Sequence, residues 1–165
     1  GSGLVGSEMC IRDRAVGAGD STLAKAYERD ALTMIPTKSK LMPHAREVLE
    51  YLSRKYNLYI LSNGFKELQS HKMRSSGIDE YFKKVVLSDD IGILKPWPEI
   101  FHFALSTTQS ELNNSLMIGD SWENDIVGAA GVGMHQVFYN LSGRIDLPFA
   151  PTYQITDLKD LFNFL

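Results

Sequence analysis

The chain has 165 residues, 44% of them hydrophobic, and a formal net charge of −3 at pH 7. That length holds one domain with a real core and a small appendage. The slight acidity offers no basic face for nucleic acid, and no apolar run approaches the roughly 20 residues of a membrane span. A single cysteine, Cys10, excludes an internal disulfide, and His44, His71, His102 and His135 lack the spacing of a zinc site, so the expected setting is the cytoplasm.

Gly1 to Arg14, GSGLVGSEMCIRDR, has neither helical nor strand periodicity and opens with a linker-like GSG. Residues 1–14 therefore read as a non-native leader, with a natural disordered arm as the alternative. From Asp20 to Ile35 the apolar positions Leu23, Ala26, Tyr27, Ala31 and Met34 keep the spacing of an amphipathic helix, which Pro36 ends. Thr37 to Lys40 is a linker. Met42-Pro43 opens a helix expected from His44 to about Tyr56, with Ala45, Val48, Leu49 and Leu52 inward. Asn57 turns the chain into a strand, Leu58 to Leu61, which ends in Ser62-Asn63-Gly64. A helix from Phe65 to Ser76 follows, stopped by Gly77. Lys84 to Leu87 is the next strand, ending in Ser88-Asp89-Asp90. The loop after it leads to Lys95-Pro96-Trp97-Pro98, whose prolines suit the start of a helix continued by Glu99 to Thr107.

Ser115 to Ile126, SLMIGDSWENDI, is an apolar run that stops at Gly119 and is followed by two carboxylates, Asp120 and Asp125. A parallel strand that ends in Gly-Asp delivers its acid to the crevice at the carboxyl ends of the sheet. Ser121 suits an N-cap and Trp122 to Ala130 a helix, which puts Asp125 in its first turn. Two acids facing one small volume suit a cation with oxygen ligands such as Mg²⁺; the plainer alternative is a pair of helix-capping acids. A strand from His135 to Tyr139, a loop with Pro148 and Pro151, a strand from Tyr153 to Ile155 and a last helix from Leu158 to Phe164 complete the chain. Strands that are nearly all apolar and alternate with helices specify an α/β fold, a doubly wound, Rossmann-like parallel sheet.

The strand ends thus collect Ser62, Asn63, Gly64, Lys95, Asp120 and Asp125. A hydroxyl, backbone amides, a cation and an acid pair are the parts phosphoryl transfer needs, because its transition state spreads charge over several oxygens. Singly, such a serine is often a helix cap and such a lysine a surface residue; their order and spacing carry the weight. In these residues the chain resembles the haloacid dehalogenase-like (HAD) superfamily of phosphatases. Its second motif looks like LYILSNG, its third like GILKPWPEIF and its fourth like SLMIGDSWENDIVGA, over the span from Leu41 to the C-terminus.

The resemblance implies that Ser62 hydrogen-bonds the transferring phosphoryl group with Asn63 and Gly64 beside it, and that Lys95 neutralises charge. It implies further that Asp120 ligates Mg²⁺, and that Asp125 orients water on the metal or holds Lys95. Lys55 to Asn140 looks most like the pyrimidine nucleotidase subgroup, which implies a small phosphomonoester substrate, a nucleoside monophosphate. The helix Thr22 to Ile35 matches the end of that subgroup's helical cap. Residues 15–40 then read as a cap remnant and 41–165 as the HAD-like core.

One departure stands out. The family's first motif is a DxD on the first strand, where one aspartate attacks phosphorus and the other serves as general acid. Asp13, Asp20 and Asp30 are the aspartates ahead of Leu41, and none follows an apolar strand or has another aspartate two positions on. The expectation is an N-terminally truncated enzyme, inactive because losing a nucleophile costs on the order of a million-fold in turnover. The alternative is a catalytically dead regulatory protein that keeps a phosphate and metal pocket. A dinucleotide-binding module, prompted by Gly128, Gly131 and Gly133, fails because those glycines close a helix and no GxGxxG is present. The missing strand would lie between those ending at Ser62 and Asp120. Three repairs are open: threading of Leu4 to Ile11 into the gap, closure of the two flanking strands on each other, or a strand from a second copy in a strand-exchanged homodimer.

Overall fold

The computed structural model describes residues 40–64 and 66–165. The expected leader, the expected cap-remnant helix and the Leu4 to Ile11 segment lie outside the described residues. In α1 (Ala45–Ser53) the apolar stripe Ala45, Val48, Leu49 and Leu52 is buried, as its spacing requires. The helix is shorter than its periodicity: His44 is the N-cap with a left-handed φ of 64°, and the N–H groups of Lys55 and Tyr56 both return to the Leu52 carbonyl and close the last turn.

Then follow β1 (Leu58–Ser62), α2 (Lys66–Ser76), β2 (Phe82–Leu87), α3 (Pro98–Thr108), β3 (Leu116–Gly119), α4 (Val127–Gly131), β4 (His135–Tyr139) and β5 (Tyr153–Ile155). Pro98 opens α3, where its missing N–H has no intrahelical acceptor to lose. β1 pairs parallel with β2, Ser62 opposite Leu87. β3, β4 and β5 also run parallel, with Gly119 opposite Phe138 and Tyr139 opposite Ile155. Parallel strands joined by crossovers bring their carboxyl ends to one rim, and the predicted site residues cluster there.

The core has a face on each side of the strands. Leu116 and Ile118 pack with Val48, Leu52, Val137, Ile155 and Leu158 on one side. Met117, pointing the other way as strand alternation demands, packs with Leu61, Ile100, Phe101 and Ala129. Helices thus cover both faces, which is the doubly wound α/β arrangement that continuous apolar strands imply.

Two helices differ from their expected form. Trp122 to Ala130 is not one α-helix: residues Trp122–Ile126 form a π-turn before α4 begins. Both Asp125 N and Ile126 N donate to the Ser121 carbonyl, at 2.8 and 3.3 Å, because the Asp125 side chain folds back toward the end of β3 and widens the turn. The last helix is a 3-10 segment, Leu158–Asn163, opened by a reciprocal cap between Asp157 and Asp160. Short 3-10 turns at Asp79–Tyr81, Ser88–Asp90 and Leu112–Asn114 have no periodicity by which to expect them.

Among the described residues β1 does not close onto β3: the strands form a two-stranded sheet, β1-β2, and a three-stranded sheet, β3-β4-β5. The Lys95 side chain runs between them at the rim, bonded to β1 on one side and to the π-turn after β3 on the other. No helix among the described residues is long and apolar enough to cross a membrane.

Candidate functional site

Ser62, the last residue of β1, is buried with its hydroxyl at the rim. Its Oγ accepts from Gly64 N at 3.0 Å and from Gln69 Nε2 at 2.6 Å. Gly64 is what allows the second contact, since a Cβ there would lie 2.8 Å from Gln69 Nε2 and 3.2 Å from Ser62 Oγ. The Asn63 side chain turns to Lys95: its Oδ1 accepts from Lys95 N at 2.7 Å and its Nδ2 donates to Lys95 O at 3.1 Å. The side-chain amide of Asn63 and the backbone amide of Gly64 therefore both have protein partners.

Lys95 precedes a cis peptide bond to Pro96. Its ammonium donates to the Leu61 carbonyl at 2.9 Å and to Asp125 Oδ1 at 2.6 Å. An ammonium has three N–H donors, so two are committed to these partners. The other oxygen of Asp125 accepts from Ser121 N at 3.1 Å. Both carboxylate oxygens are thus engaged inside the protein. Ser121 is the expected N-cap, with its Oγ accepting from Asn124 N at 3.3 Å. The acid reaches this place because residue 119 is glycine: a Cβ there would stand 2.3 Å from Asp125 Oδ2 and 2.5 Å from its Cγ.

Asp120 is half-buried just beyond β3. Its charge reaches Tyr139, whose phenol is held above its ordinary pKa by burial first and then by Asp157 and Asp120. On the neighbouring loop Arg144 lies 2.7 Å from Glu123 and beside the Trp122 ring. That hydrogen bond, ahead of one from the Glu123 backbone, holds the Glu123 carboxyl below its usual range. Mg²⁺ wants several oxygen ligands in a near-octahedral shell. Asp125 already accepts from Lys95 and Ser121, and among the described residues no three His, Cys, Asp or Glu side chains converge on a metal-sized point. The described donors therefore do not make a complete Mg²⁺ site.

Ser62 and Gly64 are hydrogen-bonded to each other, Asn63, Lys95 and Asp125 form a second hydrogen-bonded chain, the two meet along the backbone from Ser62 to Gly64, and Asp120 follows the end of β3. Gln69 joins Ser62 unforeseen, because nothing in the periodicity of a polar helix marks which side chain turns back onto the preceding loop. A cavity of about 370 Å³ between α2, β2 and α3 is lined by Lys66, Ser70, Lys84, Leu87 and Phe103 and contains none of these residues.

Residues 5–133 match the haloacid dehalogenase-like hydrolases. The chain is 30% identical to the HAD-hydrolase YfnB of Bacillus subtilis (strain 168), over 93% of this chain and 70% of that protein. It is 31% identical to the pyrimidine 5'-nucleotidase YjjG of Escherichia coli (strain K12), over 75% of this chain and 56% of that one. The crystal structure of YfnB bound to magnesium superposes with a TM-score of 0.78 at 29% identity, covering 94% of this chain and 72% of its own. A HAD phosphatase from Thermococcus onnurineus gives 0.70 at 33% identity, covering 75% and 57%. The chain thus spans little more than half the length of the nucleotidase and of that phosphatase.

Proposed function

Because the chain belongs to the haloacid dehalogenase-like hydrolase family, we propose that its strand-end site binds the phosphoryl group of a small phosphomonoester. The observation that carries this reading is the Lys95 ammonium, fixed between Leu61 O and Asp125 at the rim where Ser62 ends β1. A cation held in place and a hydroxyl donor meet anionic oxygens without reorganising, which is how phosphoryl-transfer sites lower their barriers. In this reading Ser62 donates to a phosphoryl oxygen, with the Asn63-Gly64 turn shaping the loop. Lys95 offsets phosphoryl charge and Asp125 positions Lys95. Asp120 would offer one carboxylate oxygen to Mg²⁺, which when bound supplies further positive charge to the phosphate.

Similarity to a pyrimidine 5'-nucleotidase supports a nucleoside monophosphate as substrate in a protein that also carries the DxD motif. On the same reading residues 15–40 belong to a helical cap and the setting is cytoplasmic. The sequence as written contains no DxD ahead of Leu41, so it should bind phosphate without turning it over. The test is hydrolysis of p-nitrophenyl phosphate and pyrimidine monophosphates with Mg²⁺. The expected result is background rate, regained when an upstream strand bearing DxD is added. Turnover by the present chain that disappears in Asp120→Asn would overturn the inactive reading. The second reading, a regulatory protein that senses phosphate, keeps the same Lys95–Asp125 pair and takes the lack of a DxD ahead of Leu41 as its motive. It predicts that adding the DxD strand restores nothing.

A further inference from the structure

A hydroxyl oxygen has two acceptor positions and one hydrogen to give. At Ser62 both acceptor positions are filled, one by the Gly64 N–H at 3.0 Å and the other by the Gln69 amide at 2.6 Å. The hydrogen of Ser62 therefore has to be donated, and to a third group. We propose that Gln69 is a positioning residue that makes Ser62 an obligate donor toward an anionic oxygen in the crevice.

The Gly64 contact follows from the turn that ends β1, since it joins residues two apart in sequence. The Gln69 contact is different in kind. It comes from α2, seven residues on, and it holds only because Gly64 has no side chain to block it. Were the second neighbour of Ser62 an acceptor, the hydroxyl would give its hydrogen away from the crevice and turn a lone pair toward the anion. One atom at position 69 thus decides whether Ser62 attracts or repels a phosphoryl oxygen. Fixing that direction in advance removes a free rotor from the binding step, the benefit of a preorganised donor.

The inference rests on the proposed phosphoryl site and is separable from it by calorimetric titration of the present chain with inorganic phosphate. The variants are Ser62→Ala, Gln69→Glu, Gln69→Met and the double Ser62→Ala/Gln69→Glu, each checked for folding by its thermal transition. Ser62→Ala should weaken phosphate by about tenfold, the size of one hydrogen bond to a charged group. Gln69→Glu should weaken it at least as much, Gln69→Met less, and the double variant no more than Gln69→Glu alone. Between about pH 8 and about pH 5 the deficit of Gln69→Glu against the wild-type chain should shrink, because a protonated carboxyl can donate again, while that of Gln69→Met should stay constant. The double variant separates this from the bare charge of the new carboxylate, which would weaken phosphate as much without the Ser62 hydroxyl as with it. Gln69→Glu binding like wild type, losses that add to those of Ser62→Ala, or a deficit indifferent to pH would each overturn the role of Gln69 alone. Wild-type protein that ignores phosphate, or Ser62→Ala that binds it unchanged, would overturn the phosphoryl site and this inference with it.

Discussion

Lys95 Nζ and Asp125 Oδ1 lie 2.6 Å apart, with the lysine side chain 10% and the aspartate 5% exposed, so a complete ion pair is buried between β1 and the turn after β3. Removing one member leaves the other charge desolvated and alone. Asp125→Ala or Lys95→Met should each cost about 3 to 5 kcal/mol, whereas the joint change Lys95→Met with Asp125→Leu should be nearly neutral. Urea unfolding measures all three. Single losses below about 1 kcal/mol that simply add would mean the pair is solvated after all.

Gly119 and Gly128 make a matched pair of probes. A Cβ at 119 would press on the Asp125 carboxylate at 2.3 Å and on its Cβ at 2.4 Å, and the latter sits too near the backbone to swing aside. At 128 it would meet the Phe101 ring at 2.6 Å and the Pro96 Cα, next to Lys95, at 3.0 Å, without touching Asp125. Both alanine variants should lose stability by about 1 to 3 kcal/mol from overpacking. Gly119→Ala should in addition weaken phosphate binding, because it displaces the partner of Lys95, and Gly128→Ala, which spares Asp125, should weaken it less. Equal effects on phosphate would count against Asp125 as the residue that positions Lys95.

Tyr139 sets a pH limit. Its folded pKa is raised, so the folded chain holds the phenolic proton more tightly than the unfolded chain. That stabilisation is complete below the unfolded value near pH 10 and is lost as pH climbs through the higher folded value. Wild-type protein should therefore lose more stability between about pH 9 and about pH 11 than Tyr139→Phe, as read from urea midpoints. Identical declines in the two proteins would contradict this.

Metal binding should be weak. Asp125 already holds Lys95 and Ser121, and no third acid among the described residues converges with it and Asp120 on a cation. Calorimetric titration should find affinity well below micromolar strength and a further drop in Asp120→Asn. A tight site that survives that substitution would place the ligands elsewhere.

The strands were legible where an apolar run stops at a small or polar residue, as in Leu58–Ser62 and Leu116–Gly119, and His135–Tyr139 and Tyr153–Ile155 also have the bounds expected of them. The capping role of Ser121 was legible from its place before Trp122. The π-turn was not, since its cause is Asp125 returning over a glycine that spacing alone presents as a strand end. For the acid pair, spacing put Asp120 and Asp125 near one volume but left open whether Asp125 served a metal or Lys95. The ammonium that Asp125 accepts from comes from 30 residues earlier in the chain. Gln69 and the Asn63 contact with Lys95 were hidden for the same reason: each is a side chain reaching between segments whose approach only the folded chain creates.

Asn63 meets Lys95 with one carbonyl and one N–H, the same two groups a peptide unit presents to its neighbour in a β-ladder. The backbone at Lys95 is thereby tied to the end of β1 as though it were one more strand residue, although it belongs to a loop. Amide protons in such a unit become reachable by solvent together, when the whole unit opens. In deuterium the Lys95 amide should therefore exchange in step with the amides of Leu61 and Ser62 and far more slowly than its loop neighbours, so the lysine and the strand that carries Ser62 open and close as one body.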